Sequence, residues 1–112
     1  MKTLNQLRDE IHQLAVEKGW HDPSKPRSFG DEIALCHSEL SEALEDYRLG
    51  LPLNETHRDE KGKLCGIPSE LADVIIRVLD MCGKHNIDIE TVVEQKHEFN
   101  KTRSHRHGNK VI

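Results

Sequence analysis

The chain has few aromatic residues: 4% of 112 positions, made up of two Phe, one Tyr and one Trp. Total hydrophobic content is 35%. A single domain of this length can build one core but not two, and with so little aromatic bulk that core is modest. Oligomerisation is therefore expected. Three cysteines, Cys36, Cys65 and Cys82, form no CxxC and make an odd number, which argues against a disulfide framework or a zinc knuckle. Cys36 and Cys82 fall on apolar helical faces and are expected to be core thiols. No apolar run is long enough to span a bilayer, and "MKTLNQLRDE" lacks the apolar centre of a signal peptide. A cytoplasmic chain without a membrane partner is expected. GxxxxGK[ST] is absent, so a P-loop is not supported. An excess of positive charge is lacking too. The net charge is −4 with eight neutral histidines, which argues against a general nucleic-acid coat.

What is present is helical periodicity. Leu4, Leu7, Ile11 and Leu14 predict a first helix over about Thr3–Lys18, with Thr3 and Gln6 as a capping box. "WHDPSKPRSFG" reads as loop. A second helix starts near Asp31 and ends before Gly50, with a stripe of Ile33, Cys36, Leu40, Ala43/Leu44 and Tyr47. "LPLNETHRDEKGKLCG" is polar and patternless, a long loop of the kind that is often functional or mobile. A third helix is predicted after Pro68, with Ser69 as a possible cap and Leu71, Val74/Ile75, Val78/Leu79 and Cys82 inward. Asp88 caps a fourth that reaches about Arg103, with Ile87 and Val92 spaced for a hydrophobic staple. The tail 104–112 has no fold signal and is expected to be flexible. No stretch alternates with a strand's period over useful length. Residues 1–112 thus read as one all-α domain, four-helix and bundle-like.

Two acidic pairs break the helical pattern. "HSELSEALEDYR" carries Glu39 and Glu42, and "SELADVIIRVLD" carries Glu70 and Asp73. With Glu39 at zero, Ala43 lies at roughly 40° and Glu42 at roughly 60° on the other side. Glu70, Val74 and Asp73 repeat that arrangement. Both pairs border an apolar stripe in one register, so packing the two stripes brings four carboxylates to one seam. Such a cluster costs desolvation and repulsion unless a cation neutralises it. All-oxygen donors suit Mg²⁺ or Mn²⁺. A solvated pair of helix faces is the plain alternative for either pair alone.

The fourth helix adds the opposite charge. Ile89, Val92 and Val93 begin a stripe that continues as Lys96, Asn100 and Arg103. From Lys96 onward there are five Lys/Arg and one acid, Glu98. These cations could pair with the acids or hold an anion brought by the metal; snorkelling from the end of an apolar stripe is the plainer account. Trp20 could stack on a base or close the end of the bundle. His21, His57, His85, His105 and His107 have no zinc-finger spacing and read mostly as surface residues. Glu94 and His97 form a single ExxH, whereas a di-iron bundle needs two.

ELSE followed by ELAD resembles the ExxE…ExxD signature of the all-α nucleoside triphosphate pyrophosphohydrolases. "KHEFNKTRSHRHGNK" is similar to the ending of their MazG-like branch, through Lys96, Asn100, Arg103, His107, Gly108 and Lys110. The resemblance runs from about Phe29 to Lys110; the polar loop after the second helix departs from the simplest pattern. It implies metal-dependent hydrolysis of a nucleoside triphosphate, a dNTP or non-standard nucleotide, to monophosphate and pyrophosphate. Glu39, Glu42, Glu70 and Asp73 would be the Mg²⁺ ligands, with Glu39 also the proton acceptor. Lys96, Asn100, Arg103, His107 and Lys110 would hold substrate, together with Trp20. It also implies a homodimer or a dimer of dimers. The alternative is a non-enzymatic helical interaction module that uses the basic C-terminal segment and leaves the paired acids idle.

Overall fold

The computed structural model describes residues Met1–Ile112. Helices dominate: α1 (Leu4–Glu17), α2 (Phe29–Arg48), α3 (Ile67–Lys84) and α4 (Ile89–Thr102), followed by a four-residue element, α5 (Arg106–Asn109). The predicted caps that hold are those with a side chain placed to satisfy free backbone N–H groups. Thr3 and Gln6 form the capping box of α1, and Asp88 accepts from the Thr91 amide at the start of α4. α2 begins two residues earlier than predicted, because Ser28 and Asp31 form a second capping box. α3 also begins earlier, at Ile67. Pro68 sits in its first turn, where its missing N–H costs nothing. Ser69 is no cap; its hydroxyl donates to the Leu64 carbonyl at 3.0 Å.

The segment read as a patternless loop contains a small antiparallel hairpin. β1 (His57–Arg58) pairs with β2 (Leu64–Cys65) in the register His57–Cys65 and Arg58–Leu64. Asp59 organises its turn by accepting from the Lys61 and Lys63 amides at 2.8 and 2.9 Å. Two-residue strands are too short to leave a periodic signal, and side chain–backbone bonds supply the order. Gly66 joins the hairpin to α3 at φ 108°, where a Cβ would lie 2.7 Å from the Glu55 carbonyl oxygen. Only glycine fits.

α3 is the central element. It packs on α2 along one side and on α1 along another, while α4 touches α1 only near its start. Asn5 and Asp88 make that contact at 2.8 Å, with Arg8 donating to the Ile87 carbonyl at 2.7 Å. Every residue from 91 to 112 is exposed. The core consists of Cys36, Ala43, Ile67, Leu79, Met81 and Cys82, so the two helical cysteines are core thiols as expected. The inward face of α2 differs from the predicted stripe. Glu32, Cys36, Glu39 and Ala43 are buried, whereas Leu40, Leu44 and Tyr47 are at least half exposed. Leu71 and Ile75 of α3 are likewise exposed. With one neighbour available to it, α2 cannot cover its whole apolar arc and buries the part facing α3. The radius of gyration is 16.7 Å, against about 13 Å for a compact chain of this size.

Candidate metal centre

The two acidic pairs do meet. Glu39 comes from the second half of α2 and Glu70 and Asp73 from the first half of α3. Their carboxylate oxygens lie within 4.8 Å of one another. Glu42, one helical turn after Glu39, reaches the Glu70 carboxyl from the exposed side. Burial foremost, then contact with Glu42 and the charges of Asp73 and Asp46, push the Glu70 carboxyl up to about 7. Burial and the Glu39 charge raise Asp73 as well, against the opposing pull of Lys63 and Arg77. Glu70 Oε2 is buried with no hydrogen-bond partner. An orphaned buried oxygen among four acids is what a hard cation would satisfy, and the all-oxygen donor set fits Mg²⁺ or Mn²⁺.

Sequence inspection missed Arg77. It follows Glu70 and Asp73 at i+7 and i+4, and its Nε donates to Glu39 Oε1 at 2.7 Å. That spacing was visible; the missing information was that α3 presents this stripe to α2. Lys63, brought by the hairpin, is a second unanticipated cation beside Asp73. A cavity of about 410 Å³ opens beside the acids, between α1, the loop after it and α3. Glu39, Asp73 and Arg77 line it together with Trp20, Leu14 and Ile76. Its size suits a small organic ligand, and Trp20 stands on its wall.

The predicted cationic face is elsewhere in the single chain. Lys96 on exposed α4 and Arg103 just past its end sit against the Phe99 ring, at 6.0 and 5.7 Å from its centroid. Neither they nor Asn100 line the cavity. His107 and Lys110 lie in the C-terminal turn, where His107 and Gly108 have positive φ and Arg106 donates to the Lys110 and Val111 carbonyls. One chain therefore assembles the acids and Trp20 but not the basic residues.

Two further polar clusters were also unanticipated. Glu32 is buried, yet hydrogen bonds from Lys84 and His85 outweigh that burial and hold its carboxyl below the usual range. His12 and His21 converge on Asp80, correcting the reading of His21 as a surface residue. Asp80 continues the stripe of Asp73 and Arg77 along α3, the one sequence signal for it. No protein-family model, curated protein or solved structure matches this chain significantly.

Proposed function

We propose that the protein is a divalent-metal-dependent nucleoside triphosphate pyrophosphohydrolase, taking a triphosphate and water to a monophosphate and pyrophosphate. One observation carries the reading: Glu39, Glu70 and Asp73 gather from two helices around a buried, unpartnered oxygen, with Glu42 against Glu70, and two of them, Glu39 and Asp73, also line the 410 Å³ cavity. The resemblance of ELSE…ELAD and the C-terminal element to the MazG-like branch supports it. When bound, Mg²⁺ would supply charge neutralisation on the phosphate chain and acidify the attacking water. Glu39, Glu42, Glu70 and Asp73 would hold the cation, and Glu39 would accept the proton of the attacking water. Arg77 fixes Glu39 through Oε1. Trp20 stacks on the base, the edge of the cavity excluding water from that face.

Lys96 and Arg103 offset charge on the released pyrophosphate, Asn100 binds sugar or phosphate, and His107 and Lys110 complete the anion site. Within one chain these residues stand away from the acids, so a second copy delivers them in a homodimer or dimer of dimers. Open apolar residues on α2, α3 and α4, including Leu44, Ile75, Val93 and Phe99, support that assembly. The deciding experiment is ³¹P NMR of a panel of standard and modified triphosphates with Mg²⁺. Pyrophosphate and monophosphate are expected; orthophosphate and diphosphate would mean the wrong bond. The exposure of residues 91–112 favours the second reading, an interaction module using the basic segment. In that case Mg²⁺ leaves the melting temperature unchanged.

A further inference from the structure

About 10 Å along α3 from Asp73, estimated from seven residues of helical rise, a different donor set is assembled from three places in the chain. His12 comes from the middle of α1, His21 from the loop after it, and Asp80 from α3. Asp80 Oδ1 lies 2.8 Å from both His12 Nδ1 and His21 Nε2, and Oδ2 lies 2.9 Å from the latter. The two rings stand edge to face at 4.8 Å. All three side chains are largely buried, with exposures of 26%, 10% and 17% for His12, His21 and Asp80. No other side chain hydrogen-bonds the Asp80 carboxylate. The neighbouring Arg77 is bonded to Glu39 and Arg27 to the Trp20 carbonyl.

The placement is built in. Gly83 lets α3 approach α1 so closely that a Cβ there would lie 2.6 Å from the Cβ of His12. We propose that His12, His21 and Asp80 form a transition-metal site of the zinc class, separate from the carboxylate centre. Two imidazoles and one carboxylate suit Zn²⁺ and disfavour Mg²⁺. Zinc bonds of about 2.0–2.1 Å in a tetrahedron place donors about 3.3 Å apart, so each ring nitrogen shifts by roughly half an ångström. Each neutral imidazole carries its proton on the other ring nitrogen, Nε2 of His12 and Nδ1 of His21, and the metal replaces the two hydrogen bonds to Asp80. Asp80 also lines the 410 Å³ cavity, so the cluster borders solvent-accessible space on its Asp80 side. The ion would clamp the loop carrying Trp20 to α1 and α3.

The test is a titration of the metal-free full-length chain with Zn²⁺ under saturating Mg²⁺, by calorimetry and thermal melting, with Co²⁺ as a spectroscopic substitute. One equivalent should bind, raising the melting temperature by about 10 °C at a hundredfold excess over Kd. His21→Ala, in a loop, and the isosteric Asp80→Asn should each weaken binding at least tenfold. Glu70→Gln and a His105→Ala/His107→Ala variant should bind Zn²⁺ as the parent does. Absence of saturable binding overturns the proposal. So does Zn²⁺ affinity unchanged in both His21→Ala and Asp80→Asn, or lost in either control variant.

Discussion

Burial and neighbouring acids push the Glu70 carboxyl up to about 7 from an ordinary 4.5, so in metal-free protein it retains a proton that an unfolded chain has lost. Its contribution to stability is fully present below about pH 4.5 and disappears as pH rises through about 7. Glu70→Gln should therefore raise the melting temperature of the metal-free protein at pH 8, by about 5 °C, with the gain vanishing near pH 4.5. The same variant should abolish stabilisation by Mg²⁺, which has to displace that proton. In the parent, the shift caused by Mg²⁺ should be larger at pH 8 than at pH 6. Melting curves with and without metal check all three; a Mg²⁺ response that is intact in Glu70→Gln would remove Glu70 from the ligand set. Glu32 has the opposite sign, since Lys84 and His85 hold its carboxyl low. Glu32→Gln should cost about 2–3 kcal/mol at pH 7 by chemical denaturation, the cost falling as acid protonates the parent carboxylate.

At the scale of elements, the hairpin and α3 are joined at Gly66, whose φ of 108° and close approach to Glu55 leave no room for a side chain. Gly66→Ala should destabilise by about 2–3 kcal/mol and, by displacing Lys63 from Asp73, alter Mg²⁺ affinity. Denaturation and metal titration of that variant separate the two effects. The sequence was legible wherever an element is defined by local rules. Thr3, Gln6, Asp88 and the apolar spacings located four helices because a cap or a period acts within a few residues. It was not legible for β1 and β2, which rest on Asp59 and on docking against α3. Nor was the buried face of α2 visible: hydrophobicity selects Leu40, Leu44 and Tyr47, while the neighbour actually present selects Glu32, Cys36, Glu39 and Ala43.

For the whole molecule, the isolated chain is extended, with α4 fastened only at its start. A 14-residue helix without packing is marginal in water. Self-association that covers α4 should therefore bring helix content and activity up together with concentration, as seen by circular dichroism and sedimentation. A mixing experiment tests where the basic residues act. Glu70→Gln and Lys96→Ala/Arg103→Ala chains, each inactive alone, should regain roughly a quarter of parental activity as mixed dimers if each site takes acids from one copy and cations from the other. A compact monomer with full activity would exclude that arrangement.

By itself the sequence determined the helices, the matched register of Glu39–Glu42 with Glu70–Asp73, and the absence of a membrane-spanning helix, because these follow from neighbours along the chain. Tertiary structure alone decided that Glu39 and Asp73 line one cavity with Trp20, that Arg77 pairs with Glu39, and that His12, His21 and Asp80 meet. Those contacts join residues up to 68 positions apart, and no periodicity within one element encodes which neighbour it will face.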